Sequence, residues 1–308
     1  MTDQSGYVPT RESFAQCWGL DATGNWQNFQ EDDTGAGTWN LIQSRAANTV
    51  NEITGITNSA GPAWAQPAYD KNGNMTTLPQ PANPGAAYTA TYDAWNRLVK
   101  LVDLPTGNTV QVNQYDGRKY RTVRETYTSG TLTETRHYYS SHRWQSLEER
   151  LGTSPDTAPS ERQFVWGERY IDNLVIRDRD TTGSGGGGGS GTLNERLYAL
   201  QDANWSVTSL IDTTGTIQER YNYAAYGTPA FLTPSFGTRT SSSFDWETLF
   251  AGYRYDTATG LNVVRHRVYS ATLGVWVQRD PLMSAPKISP LYEHGPSNPG
   301  NSNELTDL

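Results

Sequence analysis

The sequence predicts an all-β chain, a run of stacked antiparallel β-hairpins forming a curled, spiralling sheet, and three observations predict it. A tyrosine–aspartate pair recurs by ruler: Tyr69-Asp70, Tyr92-Asp93 and Tyr115-Asp116 stand 23 residues apart, with Tyr138-Tyr139 on the next tick. A fixed period of this length marks an architecture in which one supersecondary unit stacks on its neighbour. The segments after each pair alternate with period two rather than 3.6. Finally, Leu, Ile, Val and Phe total only 52 of 308 residues, while 18 Tyr and 10 Trp favour strands and 29 Gly and 16 Pro supply turns. Aromatic side chains with one polar end suit a thin amphipathic sheet better than a thick oily core. No amphipathic helix longer than a few turns is found.

Along the chain, GLDATGNWQNF (19–29) already reads as a strand–turn–strand piece. Asp32-Asp33-Thr34-Gly35-Ala36-Gly37 is similar to a calcium loop but lacks the alternating oxygen ligands and terminal Glu, so a simple turn is expected. In the repeat block, Asn72-Gly73 suits a tight primed hairpin turn with positive φ. Asn96 stands at the equivalent place in the next copy, and Lys119, a less tolerant residue, in the third. Asp70, Asp93 and Asp116 are expected to accept backbone N–H groups of these turns, with the tyrosines forming a stripe across the hairpins. After the second turn, Leu98, Lys100 and Val102 should face one way and Val99, Leu101 and Asp103 the other.

Two stretches interrupt the pattern. GTSPDTAPSE (152–161), with 153–160 at its centre, reads as an exposed loop. GSGGGGGSG (183–191) reads as a flexible linker standing in place of a natural loop, joining strand-like NLVIRDRD to strand-like TLNERLYAL. ERYNYAAYGTPAFL (219–232) resumes the hairpin pattern.

Composition excludes several functions. A net charge of -8 and a pI of about 5.1 leave no basic stripe for phosphates, so no nucleic-acid partner is expected. No long apolar run suggests membrane insertion by this segment, and the first residues do not read as a signal peptide. The single Cys17 forms no disulfide framework. His137, His142, His266 and His294 form no metal-binding pattern, so no metal and no cofactor are expected. The triplets at Asn74 and Asn204 fit glycosylation acceptors but matter only in a eukaryotic secretory pathway. Arg118, Arg121, Arg124 and Arg136 are expected to pair with Glu across strands. Trp18, Trp26, Trp39, Trp64, Trp95 and Trp144 are expected mainly in the core, with a sugar-stacking surface as the other reading.

The carboxyl end changes period: Tyr255, Asp256 and Gly260 open YDTATGLNVVRHRV, and Tyr269 and Gly274 repeat the pattern 14 residues on in YSATLGVWVQRDPL. With GYRYDTATGL, RHRVYSATLG, VQRDPL and LYEHGPSNP in this order, the chain resembles the RHS/YD-repeat proteins and their repeat-associated core. The resemblance divides the chain into a YD-repeat hairpin sheet over 1–250 and a closing core segment over 251–308, expected to form one continuous structural unit. It implies a β-sheet shell, secreted or at the cell surface as part of a larger bacterial protein, that encloses or presents a carboxyl-terminal polypeptide. The partner would be that cargo or another copy of the chain. Family members of the toxin-bearing kind cut themselves after the core with aspartates in DPxG-like motifs beside an arginine. By that resemblance Asp280 and Arg279 lie on the first motif, with Met283 where its glycine is expected. Glu304 or Asp307 could pair with Asp280 only through a shifted alignment, and Leu308 stands near the family's scissile bond. The readings carried forward are a non-enzymatic scaffold, a glycan-binding or adhesion module, and a self-cleaving core.

Overall fold

Strand follows strand in space as in sequence. The computed structural model describes residues 14–182 and 189–279. Four strands, β1 (Ala15–Leu20), β2 (Trp26–Asp32), β3 (Leu41–Ala47) and β4 (Ile53–Ala60), form a first antiparallel sheet. A second runs through fifteen: β5 (Ala68–Tyr69), β6 (Met75–Gln80), β7 (Asn83–Tyr92), β8 (Leu98–Asp103), β9 (Thr109–Tyr115), β10 (Arg121–Thr128), β11 (Thr131–Ser140), β12 (Ser146–Leu151), β13 (Ser160–Trp166), β14 (Leu174–Arg179), β15 (Glu195–Gln201), β16 (Val207–Ile211), β17 (Ile217–Tyr223), β18 (Pro229–Leu232) and β19 (Thr238–Arg239). A short third sheet holds β20 (Arg254–Asp256), β21 (Leu261–Val264), β22 (Arg267–Ser270) and β23 (Val275–Trp276). Side chains bridge the gap between β4 and β5. The Ile53 amide donates to the Tyr69 hydroxyl at 3.1 Å, and Gln66 bonds both the amide (2.9 Å) and the carbonyl (2.7 Å) of Ile56.

One turn is reused along the wall. The Asp70 carboxylate accepts the Asn72 and Asn74 amides at 2.8 and 2.9 Å, Asp93 accepts those of Trp95 and Arg97, and Asp116 those of Arg118 and Tyr120. Gly73, Asn96 and Lys119 donate back to the carbonyl three residues earlier, with φ of 84°, 61° and 72°. Asn72 is not among the residues with positive φ, so the loop is a three-residue type I turn closed by a left-handed residue, not the two-residue primed turn expected from Asn-Gly. Lys119 holds a conformation that costs a side-chain-bearing residue roughly 1–2 kcal/mol. Lys119→Gly should therefore raise stability by up to about 1 kcal/mol, after the extra entropy of glycine in the unfolded chain is discounted. Asp116→Ala should lower it by about 1 kcal/mol, and urea midpoints of the two variants check both signs.

A bulge follows each turn and sets which side chains face inward. Tyr92 pairs with Leu98 but Thr91 with Lys100, leaving Val99 extra; Thr76 and Thr122 are the extra residues after the flanking turns. The extra residue resets the alternation, so residues three apart share the inner face. Leu98 and Leu101, expected on opposite faces, are both buried in one cluster, as are Met75 and Leu78. Val207 and Leu210 repeat the pattern far along the wall. The tyrosines then tie hairpin to hairpin: Tyr92 and Tyr115 donate their hydroxyls to the carbonyls of Met75 (2.8 Å) and Leu98 (2.9 Å), and Tyr223 to that of Val207 (2.6 Å).

Bulges bend a strand and increase its twist, and repeated on successive hairpins they curl the wall. The curl brings the β17–β18 tip back to the first sheet, where Tyr226 meets Trp26 at 4.5 Å and Trp18 at 5.4 Å between ring centroids. Among the described residues no strand pairing closes this seam, so the sheet is not a barrel. As expected, β14 pairs with β15 across the glycine-rich linker, of which residues 183–188 lie outside the described residues. The loop between β12 and β13 ends before Ser160, which belongs to β13; Thr153, Pro155, Asp156 and Thr157 are exposed and Ala158 is buried. Asp32 closes a turn by accepting the amides of Thr34, Ala36 and Gly37.

Candidate functional site

The inner face of the wall is occupied by the chain's own carboxyl-terminal segment, residues 242–279. At one end of the wall, Trp26, Phe29, Leu41, Met75, Leu78, Leu98 and Leu101 pack with Leu261, Val268, Leu273, Val275 and Val277. At the other, Leu174, Leu197, Val207, Leu210, Tyr221 and Phe231 pack with Trp246 and Leu249. Backbone bonds join both ends to it, Met75 N to Val277 O at 2.8 Å and Val207 N to Leu249 O at 3.2 Å.

Between these apolar ends the wall turns ionic. At the inward positions where other hairpins carry Met-x-x-Leu or Leu-x-x-Leu, β10 carries Arg121 and Arg124, and β12 carries Ser146 and Glu149. Five guanidinium groups (Arg121, Arg124, Arg136, Arg162, Arg254) face five carboxylates (Glu134, Glu149, Glu161, Glu247, Asp256), so the formal charges cancel. Arg124 meets Glu134 at 2.8 Å, Asp256 at 3.3 Å and Glu247 at 3.4 Å. Arg136 and Arg162 hold Glu149 at 3.1 and 3.5 Å, and Arg136 also binds Glu161. From the carboxyl-terminal sheet, Arg254 reaches both Glu149 and Glu247. Gln111 donates to Asp256 at 2.7 Å. A polar cavity of about 360 Å³ lies among these side chains, between β10–β13 and residues 245–258.

Burial alone would push the carboxyl groups of Glu134, Glu149 and Glu247 up, but the arginines more than offset it. Arg254, Arg162 and Arg136 bring Glu149 down to about 2, and Arg136 and Arg124 bring Glu134 to about 2. Glu247 is likewise held well below the usual carboxylate range by Arg254, Arg124 and Arg162. A carboxylate whose folded pKa lies below its unfolded value of 4.5 stabilises the fold fully above that value and loses its contribution as pH falls toward the folded one. The ionic part of the wall's grip should thus be unchanged from pH 7 to about 5 and fade between pH 4.5 and 2. Urea denaturation across pH 2–7 measures this window; a midpoint that does not fall as the pH drops from 4.5 to 2 would contradict it.

Further grips flank this network. Arg177, pushed down to about 10 by burial and then by Arg162 and Arg179, donates to the carbonyls of Phe244 (2.7 Å) and Asp245 (3.0 Å) and lies over Trp246. Arg45, pushed down to about 9 by burial, sits over Trp26 at 4.3 Å and donates to Leu273 O at 2.8 Å.

The repeat residues fall into place on this frame. Asp70, Asp93 and Asp116 lie at neighbouring hairpin tips, while Tyr69, Tyr92 and Tyr115 lie in the strands before them. Burial pushes Tyr92 well up and Tyr115 up to about 12, so both hydroxyls remain proton donors at neutral pH. Tyr255 packs near Phe231, and Tyr269 is fully buried with its hydroxyl on Tyr226 O at 3.0 Å. Gly260 and Gly274, each at φ 73°, bring the backbone against Pro81 and the Trp26 ring.

Arg121, Arg124 and Arg136 pair with carboxylates, whereas Arg118 is exposed at a hairpin tip. Trp26 and Trp64 are core residues, but Trp95, expected inside, is 66% exposed at a tip where Arg97 lies over its ring. Asn74 is buried and bound to Asp70 and Asn96, which rules it out as an accessible acceptor in the folded chain. Of the self-cleavage candidates, Asp280, Glu304, Asp307 and Leu308 lie outside the described residues, as do Met283 and His294. Arg279 is the last described residue and lies 3.6 Å from Glu52. The carboxylates Glu149, Glu161 and Glu247 were not anticipated as site residues from the sequence.

No known family profile matches the sequence. The chain is 26% identical over 248 residues to the tRNA nuclease WapA of Bacillus subtilis strain 168, a match covering 79% of this chain and 9% of that protein. It is 26% identical over 238 residues to the tRNA3(Ser)-specific nuclease WapA of Bacillus spizizenii, covering 76% of this chain and 8% of that one. The chain therefore spans under a tenth of the length of these relatives. Among solved structures, a Photorhabdus luminescens Tc holotoxin pore aligns over 94% of this chain and 18% of its own, with a TM-score of 0.37 and 13% identity.

Proposed function

We propose that the chain is a non-enzymatic scaffold of the RHS kind, a wall that grips its own carboxyl-terminal sheet and, through it, encloses or presents a polypeptide continuing beyond that sheet. The observation that carries this reading is the shared grip. Both apolar ends of the wall and its ionic middle converge on one segment, residues 242–279. A structure evolved to bind a free ligand has no need to pair three buried arginine side chains of its wall, Arg121, Arg124 and Arg162, with carboxylates of its own carboxyl-terminal segment. The similarity to WapA over 79% of the chain supports a part in a larger bacterial protein. Because the match occupies 9% of that protein, the nuclease activity in its name is not assigned to this segment.

The test fuses a folded passenger to the carboxyl end and follows its digestion by a nonspecific protease. Protection should be at least tenfold over the free passenger. It should fall when the grip is weakened by Arg254→Ala, with the wall's own circular dichroism retained. A passenger cut as fast as when free would overturn enclosure and leave presentation; loss of any effect of Arg254→Ala on the passenger would remove the grip from the account.

A further inference from the structure

Where the curl meets itself, between the first sheet and the β17–β18 tip, lies an open cleft of about 400 Å³, a size that suits a small molecule. Its walls are aromatic: Trp18, Trp26 and Phe29 from the first hairpin, Trp64 from the β4–β5 connection, and Tyr226 from the far tip. Its lining carries Glu31 and Asp33 and, among the described residues, no Lys, Arg or His, so the charge those residues give it is -2. Glu31 is already held up, by burial and then by the neighbouring Asp33 charge, with a 2.6 Å bond from Gln16 acting the other way. The same rings host a cation from behind: the Arg45 guanidinium lies 4.3 Å from the Trp26 centroid and 5.4 Å from that of Trp64, and it donates to Gln43 Oε1 and the Leu273 carbonyl, both uncharged. Trp18, on the open side, has a buried indole N–H without an acceptor.

We infer that this seam cleft is a binding site for a small organic cation of the alkylammonium class, held by cation–π contact with the half-buried Trp18 and Tyr226 rings and by the Glu31 and Asp33 carboxylates. Aromatic walls bind either apolar or cationic groups, and the two uncompensated carboxylates decide between them. Arg45 opposes a second cation with one charge, and the two carboxylates outnumber it. A neutral sugar ring needs a flat exposed platform, whereas Trp26, Phe29 and Trp64 are each more than nine-tenths buried and offer only a recessed cage. The inference does not rest on the proposed scaffold role, although the cleft also borders Ala271 and Thr272 of the carboxyl-terminal segment.

The probe is choline, titrated into the whole chain at fixed ionic strength and followed by tryptophan fluorescence, with 3,3-dimethyl-1-butanol as its uncharged isostere and methyl glucoside as a sugar. Saturable choline binding is expected, roughly tenfold tighter than the isostere, with no saturable response to the glucoside. Glu31→Gln with Asp33→Asn should erase most of that tenfold preference while leaving the isostere's affinity unchanged. Equal affinity for choline and isostere, no saturation by choline, or tighter binding of the glucoside would each overturn the inference. The comparison of ligands is made on the unaltered chain, so it stands even where a variant fails to fold.

Discussion

Glu149→Ala is expected to cost about 3–5 kcal/mol, the range for removing one partner from a buried ion pair. Glu149 is fully buried and shared by Arg136, Arg162 and Arg254. Its loss leaves five guanidinium groups facing four carboxylates; Glu149 itself is fully buried and does not line the neighbouring polar cavity, so the surplus charge beside it keeps its desolvation cost without its partner. Removing Arg254 together with Glu149, as Arg254→Met with Glu149→Leu, should cost less than the sum of the two single changes, because the pair disappears together. Urea denaturation of the four proteins gives the coupling. A single-mutant cost under about 1 kcal/mol would mean that the site is wetter than the structure shows.

Gly274→Ala is expected to cost about 2–5 kcal/mol, adding the left-handed backbone penalty of roughly 1–2 kcal/mol to an overpacking cost of roughly 1–3 kcal/mol. An added methyl would lie 2.5 Å from Cζ2 of Trp26, a ring fixed between Arg45, Tyr226 and Phe29. Gly107 is the internal control: its φ of 72° is the same within a degree, but nothing lies within 4 Å of an added methyl. Gly107→Ala should show the backbone penalty alone, so the difference between the two variants reads the contact between the carboxyl-terminal sheet and the first sheet.

The repeat and its turn were legible because both are local. An aspartate whose carboxylate closes the loop two and four residues on, followed by a left-handed residue, fits in a window of five. Lys119 was a poor witness because a left-handed lysine is held by its neighbours, not by its own preference. The inward face was misread because strict alternation ignores the bulge after each turn. With one extra residue, positions three apart share a face, and the 23-residue ruler then lines up Met75/Leu78, Leu98/Leu101 and Arg121/Arg124. That row, read in advance, would have announced an ionic stretch in an otherwise apolar lining. Its partners had no such signal. Glu149 and Arg254 are 105 residues apart, and only the curl of the wall brings them together. The order GYRYDTATGL, RHRVYSATLG marked the carboxyl-terminal sheet, but nothing in it said that this sheet would fill the inner face.

That the wall curls until its last hairpins touch its first around this sheet can be tested by nuclear Overhauser contacts in the aromatic-labelled chain. Cross-peaks from the Trp26 indole to the Tyr226 ring, 4.5 Å away, and to the Gly274 α-protons are predicted together. Assigned rings that show neither contact would mean an open wall with its tail undocked, contrary to everything built on the seam and the grip.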